Sequence, residues 1–465
     1  MADIIWNKFT QKKQQEYIDF LKVFGALSGL FKDIQEGTNA RKPYLYYRNH
    51  EQLYARVFTV EDLTRKDSAF DAVAHFDDEK VGIGLKTWIH SKDFTYQKVA
   101  EFNKLAPIKI DPLIEADKPE EVIKMVAQLR NERINLDKRL YKTDREIYHF
   151  VTRDTDVMKI FETSYDFIDL DTIELIDHDK KSFVFKDKLH KYKFYRSKSV
   201  LMEEFDASDK DKIIEIPIEL FEDPFELIKM IRLPHMRSIA MNEQDAEPKV
   251  AEDKAVEYFT NNEGGQVIYL PLYSDKADGM HVPESSGVNA RHGKSKNKGS
   301  NTLRPEFEVE VRISKWIHTV FPGFFGINAL NKDEINNEKI NDFDLILPDG
   351  RVLRGRVKQE AGKSLQTNPQ NALGEWIIKD VLGLTSREDR VTDDLLVALA
   401  IDSLKITKID NKHFKITVAE EGAYERFKLE NEQAMKDRGL SGKSLPRFRR
   451  EYEVNIDDEP IDVMV

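Results

Sequence analysis

The sequence predicts a mixed α and β protein, in which an α/β domain is followed by a domain built mainly of short strands. Apolar residues recur at helical spacing in residues 9–35 and 118–141. Two strand-like runs, 69–74 and 81–88, are joined by a polar turn. From Phe307 onward the pattern changes to short strands with tight turns.

The remaining segments complete this outline. Helical spacing is seen at 51–58, 94–105, 197–205, 224–231 and 371–382, and strand-like runs at 147–152, 182–187 and 191–195.

Composition narrows the class of protein. A chain of 465 residues has room for two or three domains, and with 40% hydrophobic and 34% charged residues it is expected to be a soluble globular protein. No run reaches the roughly 18 apolar residues of a membrane helix, and the first residues lack the apolar core of a signal peptide. The absence of cysteine excludes disulfides, zinc-thiolate sites and cysteine nucleophiles. A cytoplasmic protein of a bacterium or archaeon is expected.

Charge is distributed unevenly along the chain. The net charge of -12 argues against indiscriminate nucleic-acid binding, because proteins with that property are usually basic overall. The stretch 291–304 nevertheless carries five Lys or Arg residues and no acid. Such a flexible cationic segment suits a loop along a phosphate backbone, although a solvated linker would have the same composition.

Domain boundaries are expected in polar segments. Residues 242–254 are polar and charged, which predicts a first domain at 1–245 and a second at 246–420. Residues 421–465 form a charged C-terminal extension.

The two strand-like runs of the first domain carry an acid and a lysine that a hairpin would bring together. Asp71 and Lys86 then lie side by side, a layout suited to phosphodiester hydrolysis with a divalent metal. A carboxylate can hold Mg²⁺, which lowers the pKa of a bound water, and a neighbouring lysine can position that water. A hairpin with a solvated acid and a surface lysine is the plain structural alternative. Favouring the site, Gly82 and Gly84 share a face with Lys86 and leave room for a ligand.

This arrangement resembles the PD-(D/E)XK nuclease core, in which an acid on one strand is followed by acid-x-Lys on the next. Asp71 matches the first acid and Lys86 the lysine, but Gly84 stands at the position of the second acid. The resemblance implies catalysis by Asp71, Lys86 and Glu101, with Glu101 supplying the missing carboxylate from a following helix. Glu51, on the preceding helix, is a further candidate ligand beside Asp71 and Glu101, and Mg²⁺ is the implied cofactor.

The second half of the chain resembles a family through several motifs in order. Over about residues 268–418 it resembles the C-terminal domain of NgoFVII-type restriction endonucleases. The motifs are residues 270–274, 283–289, 308–318, 321–325, 343–350, 363–376 and 400–403.

That resemblance implies a β-pseudobarrel like those of plant B-three transcription factors and the EcoRII effector domain, which grip duplex DNA with two arms. The arms would fall at 287–304 and 363–371, while residues 356–360 depart from the expected pattern. Gln and Asn side chains can read adenine edges, and Arg or Lys can read guanine. The residues implied in DNA binding are Asn289, Arg291, Lys294, Lys296, Lys298, Arg304, Lys363, Ser364, Gln366, Thr367, Asn368 and Gln370.

The sequence therefore predicts a PD-(D/E)XK-like nuclease core followed by a pseudobarrel reader. The expected function is that of a type II restriction endonuclease that cuts double-stranded DNA with Mg²⁺, and a homodimer or higher oligomer is compatible with it. A phospholipase-D-type nuclease is disfavoured, because its His-x-Lys pairs are represented only by His292 and Lys294, in the basic loop. A sequence-specific DNA-binding regulator without catalysis is the alternative that Gly84 keeps open.

Overall fold

The computed structural model describes two compact units of a mixed α and β protein. It describes residues 4–32, 40–64, 68–103, 105–225, 266–276, 279–294, 304–328, 331, 333–334, 342–359 and 362–441. Unit one comprises residues 1–264, 376–389 and 394–400, and unit two comprises 265–375, 390–393 and 401–465. Unit one therefore includes two segments from the second half of the chain, so no single point in the sequence divides the units.

The helices begin where the sequence supplies caps. Thr10 accepts a hydrogen bond from the Lys13 amide at the first turn of α1, and Pro119 starts α4 with two acids in its first turn. The helices are α1 (Gln11–Ala26), α2 (Tyr47–Phe58), α3 (Asp111–Glu115), α4 (Pro119–Tyr141), α5 (Lys315–Val320), α6 (Ala372–Glu375), α7 (Asp393–Ala398), α8 (Ala423–Glu430) and α9 (Glu432–Asp437).

A six-stranded sheet forms the centre of unit one. Its strand order is β1-β2-β3-β5-β6-β11. In this sheet β3 and β5 are parallel, and all other neighbouring strands are antiparallel. One face packs on α1 and α2 through an apolar cluster that includes Tyr17, Leu53 and Ile83. Its strands are β1 (Glu61–Asp62), β2 (Ala72–His75), β3 (Lys80–Ile89), β5 (Arg145–Asp154), β6 (Val157–Ser164) and β11 (Ile214–Pro217).

A five-stranded antiparallel sheet, in the order β4-β10-β9-β8-β7, completes unit one. It packs on α4 through a second cluster that includes Val122, Phe185 and Phe194. Its strands are β4 (Phe94–Glu101), β7 (Glu174–His178), β8 (Ser182–Lys186), β9 (Lys191–Tyr195) and β10 (Val200–Asp206).

Two helix predictions are wrong in this sheet, because residues 94–105 and 197–205 contain β4 and β10. In β10 the buried positions alternate as a strand requires, but one of them is Glu203, whose carboxylate pairs with Arg130 at 3.0 Å. This buried charge interrupts the apolar alternation from which a strand is recognised. No residue of β4 is fully buried, so its own apolar pattern does not identify it as a strand. Its pairing with β10 determines its structure instead.

The other described segments agree with the sequence. The helices predicted at 51–58 and 118–141 correspond to α2 and α4, and the strands at 69–74 and 81–88 to β2 and β3. The helix at 371–382 is a helical turn, α6, continued by a wider π-type turn at Trp376–Val381. The segment 224–231 lies mostly outside the described residues.

Unit two is built on a seven-stranded sheet that nearly closes into a barrel. Its order is β12-β19-β20-β16-β17-β18-β15, and its two edge strands lie close to each other. Phe325, Phe343 and Phe414 pack together in its core, with Phe343 and Phe414 centroids 4.9 Å apart. Its strands are β12 (Val267–Pro271), β15 (Val311–Arg312), β16 (Asp342–Ile346), β17 (Val352–Lys358), β18 (Ser364–Asn368), β19 (Ile401–Lys408) and β20 (His413–Glu420), and β13 (Ser274–Lys276) and β14 (Gly279–His281) form a separate hairpin.

The first part of the predicted C-terminal extension is folded into unit two. Tyr424 and Phe427 of α8 are buried, and the Phe427 ring lies 5.1 Å from that of Trp316 on α5. Residues 442–465 lie outside the described residues. Among the described residues, no helix combines the length and the apolar character needed to cross a bilayer.

Close packing leaves no room for a side chain at Gly84. Gly84 pairs with Tyr148 in the parallel β3–β5 ladder, and a Cβ atom at residue 84 would lie 2.6 Å from Cδ1 of that ring. The Tyr148 ring is held in place by stacking on Tyr165, with centroids 4.0 Å apart. A carboxylate side chain at position 84 would therefore collide with an immobilised aromatic ring.

Gly84→Ala should lower the free energy of unfolding by about 1–3 kcal/mol, because the added methyl group overpacks this contact. In a Tyr148→Leu background the same alanine should cost much less, since the obstructing ring is gone. Urea unfolding of the four proteins in this double-mutant cycle measures the coupling. An equal cost of Gly84→Ala in both backgrounds would show that Tyr148 is not what restricts residue 84.

Candidate active site in unit one

Asp71 is fixed by backbone hydrogen bonds on both sides of the hairpin. Its amide donates to the Ile83 carbonyl at 2.8 Å, and its own carbonyl accepts from the Leu63 amide at 2.9 Å. The Leu85 amide donates to Oδ2 of Asp71 at 2.6 Å. The carboxylate is thus held beside the strand that carries Lys86, one residue further along.

Lys86 lies on β3 at the same level as this carboxylate. The residue is half-buried, and its Nζ atom lies 5.9 Å from the centroid of the Tyr148 ring. The same ring that excludes a side chain at Gly84 therefore also supports the ammonium group. The positive charge of Lys86 opposes the rise in the pKa of Asp71.

Glu51 joins this pair from α2. Burial, followed by the negative charge of Asp71, raises the pKa of Glu51 to about 8, and the charge of Lys86 partly offsets the increase. Burial also raises the pKa of Asp71, against the opposing effects of Lys86 and the Leu85 amide. The charges of Asp71 and Lys86 therefore both act on Glu51, which makes Glu51 a candidate member of the same site.

A buried polar network anchors the helix that carries Glu51. The preceding residue, His50, is hydrogen-bonded to the hydroxyl of Tyr17 at 2.7 Å, and that hydroxyl lies 3.2 Å from Nε2 of His149. The other ring nitrogen of His149 lies 3.1 Å from Glu162. Burial lowers the pKa of His50 well below its usual range, so this ring is neutral and acts as an uncharged anchor for α2.

Asp62 is a neighbouring acid that the sequence analysis missed. It lies on the two-residue strand β1, opposite Ala72, and its charge raises the pKa of both Glu51 and Asp71. Its Oδ1 atom accepts hydrogen bonds from the amide and the hydroxyl of Thr64 at 2.9 and 2.7 Å. A two-residue strand leaves no periodic pattern, so nothing in the sequence marked this acid.

Glu101 lies elsewhere in unit one. The helix expected to carry it is the strand β4, which belongs to the five-stranded sheet and not to the sheet of Asp71 and Lys86. Its exposed carboxylate is paired with Lys98 at 2.8 Å and with Asn103. No described contact brings Glu101 to the other candidate residues, so Glu51 is the better placed second carboxylate.

Two carboxylates of this site, Glu51 and Asp71, could hold a divalent cation. Within the described ranges, no group of three or more histidine, aspartate or glutamate side chains is arranged as a metal site. Mg²⁺ commonly uses only one or two protein carboxylates and keeps several waters. A cation would also relieve the repulsion that raises the pKa of Glu51, so the two residues fit such an ion.

The first predicted arm of unit two is partly internal. Asn289 is buried, and its amide donates to the carbonyls of Pro283 and Val391 and accepts from the Val391 amide. Arg291 is buried as well, with 1% of its surface exposed. Asn289 and Arg291 therefore stabilise the fold and do not face solvent.

The rest of this arm is only partly described. Lys294 is exposed, whereas Lys296 and Lys298 lie outside the described residues. Arg304 is half-buried and donates to Glu308 at 3.2 Å. Of this predicted set, Lys294 has the exposure that a phosphate contact requires.

The second predicted arm is a strand followed by a turn. Thr367 is buried and caps the following helix, because its hydroxyl donates to the Pro369 carbonyl at 2.9 Å and accepts from the Leu373 amide at 3.1 Å. Ser364 is also buried. Lys363, Asn368 and Gln370 are exposed, and Gln366 is half-exposed.

The outer face of the neighbouring strands carries cations that the sequence analysis did not select. Residues directly opposite each other in antiparallel strands share a face, and Arg354 and Arg356 of β17 lie opposite Asn368 and Gln366 of β18. Lys358 and Arg312 continue this face. This face was not recognised from the sequence, because residues 356–360 depart from the family pattern. Val357 is the one apolar residue among them, so the alternation of a strand is weak here.

Comparison with known proteins identifies no relative: no protein-family profile and no curated protein matches the chain.

The raised pKa of Glu51 predicts a pH-dependent loss of stability. Glu51 has a folded-state pKa of about 8 and an ordinary pKa of 4.5, so its protonation stabilises the folded chain fully below pH 4.5. This stabilisation is lost as the pH rises through 8. In EDTA, Glu51→Gln should therefore raise the free energy of unfolding at pH 9 by about 1–3 kcal/mol, with a much smaller gain at pH 5.

Mg²⁺ should raise the melting temperature of the wild-type chain at pH 8, and this increase should largely disappear in Glu51→Gln. Glu101→Gln, which alters an exposed carboxylate, is the matched control and should behave like the wild type. If the two variants respond alike to pH and Mg²⁺ in thermal unfolding, Glu51 does not lie in a metal site.

Proposed function

We propose that the chain is a type II restriction endonuclease that cuts double-stranded DNA with Mg²⁺. The observation that carries the proposal is that the Leu85 amide holds the Asp71 carboxylate beside the strand of Lys86, while the charges of both residues act on the pKa of Glu51. Two half-buried carboxylates beside one lysine match the needs of metal-dependent phosphodiester hydrolysis. The ion supplies an acidified water and stabilises the charge that develops on the phosphate.

The residues of the chain have separate tasks in this proposal. Glu51 and Asp71 hold the ion, and the Leu85 amide keeps the Asp71 carboxylate in a single orientation. Lys86 orients the attacking water and favours loss of its proton, because a positive charge stabilises hydroxide. Tyr148, beneath the ammonium group of Lys86, limits where that group can move.

The finer fold assignment is part of the same proposal. We take unit one as a variant of the PD-(D/E)XK core, with Asp71 as its first acid, Lys86 as its lysine and Glu51 in place of the acid absent at Gly84. The parallel strand β5, reached from β3 through helix α4, supports this assignment. The five-stranded sheet would then be an addition to that core.

Unit two is proposed as the reader of DNA sequence, with the fold of a B-three-like pseudobarrel. Its nearly closed seven-stranded sheet supports the fold, and the cationic outer face of β17 and β18 supports the function. Arg, Gln and Asn side chains on one accessible face are the residue types that read base edges in the major groove.

A sequence-specific DNA-binding protein without catalysis is the second candidate. Gly84 favours it, because the position of the usual second acid is filled by the Tyr148 ring. Both candidates require DNA binding, and they differ in what happens after a divalent ion is added.

Asp71→Asn and Lys86→Ala should each reduce the cleavage of unmodified bacteriophage DNA at least ~100-fold in the presence of Mg²⁺. Glu51→Gln should do the same, while Glu101→Gln should cut at the wild-type rate. Gel electrophoresis of time courses measures cleavage, and band-shift assays in EDTA check that each variant still binds DNA.

Wild-type rates in Asp71→Asn or Lys86→Ala would exclude this hairpin as the active site. Loss of cleavage in Glu101→Gln but not in Glu51→Gln would move the second carboxylate to β4. A wild-type chain that binds DNA but fails to cut it whichever divalent ion is added would favour the non-catalytic candidate.

A further inference from the structure

Two cross-strand pairs form adjacent rungs on the outer face of β17 and β18. Arg354 lies opposite Asn368, and Arg356 lies opposite Gln366. The other face of the same strands is apolar and buried, as at Val357 and Leu365. Each rung therefore places a guanidinium and an amide side by side on the outer face, where the Arg354 side chain is 61% exposed and that of Arg356 is 13% exposed.

One carboxylate holds both arginines. Nε of Arg354 donates to Oδ2 of Asp342 at 2.6 Å, and Nη2 of Arg356 donates to the same oxygen at 2.9 Å. Hydrogen bonds from Arg356 and then Arg354 hold the pKa of Asp342 below its usual range, so the carboxylate is ionised at neutral pH. The side chain of Asp342 is 10% exposed and that of Arg354 is 61% exposed, so the clamp lies beneath an accessible guanidinium.

The surroundings of these rungs are cationic in an acidic chain. Arg312, Lys358 and Lys415 lie on the same outer face, which carries the acids Asp342 and Asp344. The whole chain has a net charge of -12. A local excess of positive charge on such an acidic protein is complementary to a polyanion such as DNA.

The spacing of the rungs suits base pairs. Alternate residues on a strand are about 6.8 Å apart, roughly two steps of a DNA duplex. β16 and β15 flank these two strands in the sheet, whose outer face would offer the side chains to the major groove, where Arg pairs with guanine and Asn or Gln with adenine. Since Asp342 accepts the Nε–H of Arg354, the orientation of this guanidinium is fixed before DNA arrives.

We infer that the Arg354–Asn368 and Arg356–Gln366 rungs read the DNA target directly, and that Asp342 sets their specificity by orienting the two arginines. The inference rests on the proposed DNA-reading function of unit two. It adds that the target contains G·C and A·T pairs about two steps apart. It also adds that Asp342 is required for discrimination between sequences, although DNA repels its negative charge.

The test uses the full chain carrying Asp71→Asn, which binds without cutting, and a library of random duplexes in EDTA. Selection gives the preferred target, and affinities are then measured for that target and for a scrambled duplex. Arg354→Ala should weaken target binding about 5–150-fold and abolish the preference at one base pair. Arg354→Lys keeps the charge but not the paired donors, so it should lose the same preference while retaining affinity for scrambled DNA.

Asp342→Asn gives the sharpest result, because it removes a negative charge from the proposed interface. Binding to scrambled DNA should strengthen, while the ratio of target to scrambled affinity should fall at least ~5-fold. A purely structural role would instead weaken both. Lys415→Ala is the matched control, and it should weaken both duplexes alike without changing the preferred sequence.

The possible failures are distinguishable. A chain that selects no sequence would overturn the reader function proposed for unit two, and this inference with it. A clear target whose base preferences survive Arg354→Ala and Arg354→Lys would overturn only the inference and place recognition on other residues. An unchanged target-to-scrambled ratio in Asp342→Asn would overturn the orienting role of that carboxylate.

Discussion

The close approach of Tyr148 to Gly84 is the constraint on which the candidate active site depends. The parallel pairing of β3 with β5 brings this ring against a strand position that has no side chain, and stacking on Tyr165 fixes it there. The ring excludes a carboxylate from position 84 and lies beneath the ammonium group of Lys86. The same Tyr148 ring thereby restricts the side chain at position 84 and lies against the ammonium group of Lys86.

The second carboxylate must then come from outside the hairpin, and α2 supplies it at an electrostatic cost. Burial raises the pKa of both Glu51 and Asp71, and the negative charge of Asp71 raises the pKa of Glu51 further. Such an arrangement of carboxylates destabilises the folded chain unless a cation is bound. Groups with strongly shifted pKa values cluster at functional sites. The hydrogen-bonded network of Tyr17, His50 and His149 holds α2 in place.

Much of the fold followed from the sequence, because α2, α4 and the β2–β3 hairpin have strong apolar periodicity. The hairpin holds Asp71 beside the strand of Lys86 through the Leu85 amide. β4 and β10 were not predicted, because the buried Glu203–Arg130 pair and the partly exposed β4 break the alternation that marks strands. That error put Glu101 on a helix that does not form. Asp62 and the Arg354–Asp342 contact depend on strand register, which local spacing does not encode.

The claim that Glu51 and Asp71 form one metal site can be tested by direct observation. Crystals of the full chain soaked in Mn²⁺ would locate the ion by anomalous scattering, without reference to any activity. The account predicts a peak within about 2–2.5 Å of a carboxylate oxygen of both Glu51 and Asp71. A peak at Glu101, or occupancy at other sites with none between Glu51 and Asp71, would contradict it.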